Sequence, residues 1–307
     1  MNVDVTDWQA HVEVWLLIVG VIALGLAAQR VIGPKVVPEG QSPTTPAQKR
    51  WFWSAVVLLW LASDWPVHDV SEEQLYLVHM VQHMLFTLII PPMFLLAVPE
   101  WLARLLVEEN GHTRRLVTWL TKPLVAGLQF ALLGAFTHWS GLVNYSLESG
   151  PFHYGVHTLM VASAFLFWVP VCGPLYELRM SSPGQMVYLF IASLTPAIPG
   201  AWLAIAEGVV YSGYDVPERL WGISVTTDQQ GAGLIMMLGG RFYLWVLITI
   251  LFFRWPATRV DHDPRPRRLR AEPEAAPKAP AMDEDTMTWD QVEEALERAG
   301  PAPTERG

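Results

Sequence analysis

Apolar stretches about as long as a bilayer is thick recur along the chain, at roughly 9–29, 51–66, 73–98, 120–140, 152–172, 184–206 and 228–253. Inside lipid no water is available to pair with backbone N–H and C=O groups, so segments of this kind cross as α-helices. The expectation is an all-α, polytopic bundle of about seven transmembrane helices, filling residues 1–255 and seated in the cell membrane. Fifteen tryptophans among 307 residues suit aromatic belts at two membrane interfaces. The second stretch is the shortest and stops at Asp64-Trp65-Pro66. Asp4 and Asp7 precede the first stretch with no basic residue beside them, so it is expected to stay as a helix and not to be cleaved as a signal.

The charged residues orient this bundle. Arg30, Lys35, Lys49 and Arg50 lie between stretches one and two, Arg104, Arg114, Arg115 and Lys122 between three and four, and Arg179 between five and six. Arg254, Arg259, Arg265, Arg267, Arg268 and Arg270 follow the last stretch, whereas the alternate loops hold only Arg219. Basic residues stay on the cytoplasmic side, which predicts the N-terminus outside and the C-terminus in the cytoplasm. After Pro256 the sequence turns to Pro, Ala, Arg and Glu, the composition of a disordered cytoplasmic tail over 256–307. Within that tail, 288–300 reads as a short amphipathic helix. Thr288 and Gln291 have capping-box spacing, Trp289, Val292 and Leu296 share a face, and Gly300 marks the stop.

Polar chemistry gathers on the outer side. His79 and His83 are four apart near the start of the third stretch, so they share one helix face. His153 and His157 repeat that spacing in the fifth, His138 ends the fourth, and Asp228 opens the seventh. Ionisable groups in a span are unfavourable unless they face protein, water or an ion. Imidazole suits copper, zinc, iron and nickel, and the thioethers of the nearby Met80, Met84 and Met160 suit copper(I), although methionine in an apolar helix ordinarily packs. A lone buried histidine serves equally well as a hydrogen-bond donor between helices, and Asp228 suits either a metal or the capping of its own helix.

Several classes are excluded. Met80 stands where a metalloprotease H-E-x-x-H has its glutamate. No span interior carries the lysine a retinal Schiff base needs, and the single Cys172 excludes a disulfide framework, a C-x-x-C centre and a zinc ribbon. Axial haem ligation by histidines on facing helices remains a competitor.

Longer motifs tie these residues together. Leu77-Val78-His79-Met80-Val81-Gln82-His83-Met84-Leu85 is followed by Pro91-Pro92, His138-Trp139 by Tyr145, and the His153 and His157 pair by Phe167-Trp168-Val169-Pro170. Tyr211 and Tyr214 come next, then Asp228-Gln229-Gln230-Gly231-Ala232-Gly233-Leu234-Ile235-Met236. In these motifs, over roughly 53–253, the chain resembles the CtaG-type cytochrome c oxidase assembly factors, the polytopic kind that serve caa-type oxidases. Val156 departs from the polar, often acidic residue expected before His157, and Thr137 from the tryptophan expected before His138.

The resemblance implies a non-enzymatic role in making active haem-copper oxidase. Its partners would be oxidase subunits or their copper donors, together with the lipid bilayer and no nucleic acid. The reading favoured here is an assembly factor that binds copper among His79, His83, His138, His153, His157 and Asp228, at a site opening outward. A copper or proton-coupled transporter is the alternative, opposed by an inner half almost free of ionisable groups. A membrane haem protein is the third reading.

Overall fold

The computed structural model describes residues 8–108, 111–217, 219–262 and 289–299, and its regular elements are helices throughout. In chain order they are α1 (Val12–Val36), α2 (Pro46–Ser63), α3 (Tyr76–Ala97), α4 (Glu100–Glu108), α5 (Gly111–Leu120) and α6 (Pro123–Thr137). Then come α7 (Ser140–Glu148), α8 (Gly150–Cys172), α9 (Ser182–Ala204), α10 (Val225–Trp255, its helix continuing to His262) and α11 (Trp289–Ala299). The chain divides into two units, residues 1–255 and 256–307.

Among the described residues five helices, α1, α3, α8, α9 and α10, are long and apolar enough to cross a membrane, and a sixth crossing results if α5 and α6, bent by 67°, are one span. Their outward side chains are apolar too, with Leu24, Leu124, Ile198 and Phe242 between 73% and 80% exposed. The chain is an integral membrane protein. The expected stretch 51–66 becomes α2, 18 residues long, whose polar opening Pro46-Ala47-Gln48-Lys49-Arg50 lowers its mean apolarity below that of the five candidate spans. Its start is set locally: Thr45 accepts from the Gln48 backbone at 3.2 Å, the Gln48 side chain accepts from the Thr45 N–H at 2.8 Å, and Pro46 takes the first helical position.

The Pro91-Pro92 pair shapes α3. Pro91 has no N–H to give the Thr87 carbonyl. That carbonyl instead accepts from the Trp168 indole of α8 at 2.9 Å, and the helix widens into a π turn over Leu85–Ile89. A second π turn, Ile235–Gly239, interrupts α10, and α9 breaks at Thr195-Pro196. Gly200 and Gly233 bring α9 and α10 backbone to backbone, since a Cβ on Gly233 would lie 2.6 Å from the Gly200 carbonyl.

The bundle interior has two apolar clusters. One joins Tyr76, Met80, Leu203, Tyr211, Tyr214, Ala232 and Met236; the other joins Leu88, Phe167, Trp168, Tyr188, Leu189 and Leu244. In the second unit, α11 shows a 2.5 Å Glu294–Arg298 pair on its surface and an exposed Trp289. Thr288 and Gly300, the expected cap and stop, lie outside the described residues, as do residues 263–288 of the expected disordered tail.

Candidate metal centre

The start of α3 depends on a group from the far end of the chain. Leu75 occupies its N-cap and offers no side-chain acceptor. Asp228 of α10 supplies both oxygens, Oδ2 accepting from the Tyr76 N–H at 3.0 Å and Oδ1 from the Leu77 N–H at 2.9 Å. An anion is favoured there by the unpaired N–H groups and the helix dipole. The Arg219 guanidinium, 2.8 Å from Oδ2, compensates the buried charge and also donates to the Tyr214 carbonyl. Asp228 is thus fully engaged away from the imidazoles, and it caps α3, whereas Ser224 caps its own helix by accepting from the Thr227 N–H.

That cap sets the register of the histidines. The rings of His79 and His153 lie 5.9 Å apart and those of His83 and His157 4.7 Å apart. Equal steps along both chains mean that α3 and α8 run parallel with their two pairs face to face. Ligand atoms of His79, His83 and His157 fall within 4.8 Å of one another, and so do those of Glu72, His153 and His157. Tyr76 stacks on His79 at 5.7 Å and Phe86 meets His157 edge-on, which walls the cluster with aromatic rings.

Glu72 sits in the π turn Val70–Gln74 just before α3, and sequence reasoning missed it. Its Oε1 lies 3.2 Å from His79 Nδ1 and its Oε2 3.0 Å from His153 Nε2. Burial opposes its ionisation, but the facing His79 and the hydrogen bonds from His153 and His79 hold the carboxyl well below the usual carboxylate range. A carboxylate only accepts, so both facing nitrogens carry protons. In its neutral form His79 then keeps an Nε2 lone pair for a ligand, and neutral His153 accepts from the Ser146 hydroxyl at Nδ1, 2.9 Å away. The turn itself is pinned: Ser71 Oγ donates to the His68 carbonyl at 2.7 Å, and the Tyr214 hydroxyl donates to the Ser71 carbonyl at 3.2 Å.

His138 lines the same cavity but belongs to neither group of ligand atoms. Gln82, placed by its spacing near the histidine surface, turns instead to α2 and donates to the Ala62 carbonyl at 2.7 Å. The donor set fits a metal. His83 Nε2 is buried without a hydrogen-bond partner. Metal–imidazole bonds of about 2.0–2.1 Å place nitrogens roughly 3.4 Å apart, so rotamer shifts on the order of 1 Å would close the group.

Residues 21–258 match the cytochrome c oxidase caa3 assembly factor family, Caa3_CtaG. The chain belongs to that family. Among curated proteins and solved structures nothing matches. The family match takes in every residue of both ligand groups and the whole Asp228 motif.

In this member of the family, that motif serves packing around the site. Gln229 accepts from the Val210 N–H at 2.9 Å, Gln230 donates to the Ala206 carbonyl at 2.9 Å, and Gly231 lies against Leu77. Tyr211 and Tyr214 pack on Tyr76 behind His79, and the Tyr211 hydroxyl donates to the His138 carbonyl at 3.0 Å. The two departures lie on the cavity wall. Val156 brings no acid there, whereas Glu72 reaches His79 and His153 from the turn before α3; Thr137 hydrogen-bonds the Gly134 carbonyl at 2.9 Å.

Proposed function

We propose that the protein supports assembly of caa3-type oxidase, without catalysing a reaction of its own, by holding copper at His79, His83 and His157. Glu72 and His153 orient and charge-balance that set. The observation that carries this reading is the convergence of three imidazoles from two parallel helices, beside a part-buried carboxylate. Three neutral imidazoles suit copper and also zinc, and the family's oxidase makes copper the cargo of choice. The basic loops argue that the N-terminus and the site face the extracytoplasmic side, where oxidase subunits or their copper donors would meet it. A transporter would need polar groups beyond the cluster, yet the next cavity inward is lined mainly by Met, Phe, Leu and Pro.

The test is copper, zinc and iron per purified chain, with oxidase activity measured in cells, for wild type and for His79→Ala, His83→Ala and His157→Ala. Each variant is expected to accumulate normally, lose copper, and leave the oxidase under-metallated. Because the ligands act as one unit, a His79/His83 double variant should be little worse than either single one. Full copper occupancy and a normal oxidase in the double variant would reduce these histidines to packing residues. A Soret band would favour haem.

A further inference from the structure

Next to the imidazole cluster lies a second, larger cavity. It shares Met80, His83 and His138 with the first and lies between the two apolar clusters, touching Met236 of one and Phe167 of the other. Each of three spans contributes an irregular segment to its wall. Thr87 comes from the π turn of α3, Met236 from the π turn of α10, and Pro196 from the break in α9. Such interruptions recur where helices make room for a ligand. The cavity holds several times the space one water needs, more than an ion fills. Phe130 and Phe167, stacked at 4.6 Å, provide a flat wall.

One end of the chamber is polar. His138 Nδ1 lies 2.6 Å from the Gly134 carbonyl, which only accepts, so Nδ1 carries the proton and Nε2 presents a lone pair. That Nε2 is buried and has no partner. His138 is also the one cavity-lining histidine left outside both groups of metal-ligand atoms.

We propose that this chamber binds a membrane-soluble molecule with an apolar body and a hydroxyl head, the hydroxyl donating to His138 Nε2. Hydroquinones and protonated fatty acids share that chemistry. The proposal stands apart from the copper reading, because it uses the imidazole that reading leaves over.

The test titrates the purified full-length protein in nanodiscs with a decyl-substituted hydroquinone, with its dimethyl ether, and separately with lauric acid. Saturable uptake of one molecule per chain is expected for at least one hydroxyl probe, and the probe that saturates at lower concentration identifies the source. If the hydroquinone is that probe, its ether, which cannot donate, should bind about tenfold more weakly; equal binding would overturn the role of His138. Gly134 lines the chamber and a Cβ there meets nothing within 4 Å, so Gly134→Leu fills space and also favours helix. Ala192→Phe fills the chamber from α9 and decides the matter if the first variant fails to fold. Either should lose at least about tenfold in probe affinity with copper content unchanged. No saturable uptake by folded wild type, or undiminished uptake in the folded variants, would overturn the proposal. Probe uptake by a wild type lacking copper would overturn the metal reading alone.

Discussion

Replacing Glu72 by glutamine changes almost no volume and removes the charge that two imidazoles face. The carboxylate accepts from His79 Nδ1 at 3.2 Å and from His153 Nε2 at 3.0 Å. An amide has a single oxygen, so it satisfies one ring and turns an N–H toward the other. Hydrogen bonds to charged groups contribute about 1.5–3 kcal/mol each, and Glu72→Gln should destabilise the metal-free protein by about that much. Groups that orient a metal-bound imidazole typically change affinity about 10–100-fold, which corresponds to roughly 1.4–2.8 kcal/mol.

The assay is copper competition against a chelator of known affinity at fixed pH, with His83→Ala as the variant that removes a ligand outright and should lose more. The acid limb checks the sign. The Glu72 carboxyl is depressed from its ordinary value of 4.5, so its contribution is present above that pH and is lost as pH falls through the lower folded-state value. Glu72→Gln should flatten that part of the stability curve. Wild-type copper affinity in Glu72→Gln would refute the reasoning and leave Glu72 as a packing residue.

Removing one partner of the buried Asp228–Arg219 pair leaves a charge without compensation, so Arg219→Ala should destabilise the bundle by about 3–5 kcal/mol in a detergent unfolding assay. Asp228→Asn should shift α3 and loosen the histidine register, read as weaker copper binding with all three imidazoles still present. A Cβ on Gly233 meets the Gly200 carbonyl and the Ala204 nitrogen at 2.6 Å, so Gly233→Leu should fail to accumulate, whereas Gly20→Leu, with nothing within 4 Å, should accumulate normally. For orientation, Gly208→Cys should react with an impermeant thiol reagent on intact cells and Gly111→Cys should not, in a Cys172→Ser background; the reverse labelling would invert the topology. Both glycines are exposed, whereas Ser71, expected on the same side as Gly208, is fully buried and unsuited to labelling.

What was legible in the sequence follows from properties that are local. Length and hydropathy give membrane helices one at a time, because each helix closes its own backbone hydrogen bonds. The i,i+4 spacing places His79 with His83, and His153 with His157, on common faces of their own helices. The motif run through 77–85, the 153–157 pair and 228–236 carried the family as well. The rotation of each helix about its axis, however, is decided by everything packed around it. Hence the sequence left open that the two pairs face each other in register, that Gln82 turns to Ala62, and that Asp228 caps α3. The count of seven crossings stays an expectation, because the polar first turn of α2, invisible to a scan that begins at Trp51, keeps that helix outside the five to six candidate spans. Glu72 was hidden for the plainest reason. A carboxylate in a turn has no periodicity to betray it, and only the folding of that turn over α3 and α8 brings its two oxygens to His79 and His153.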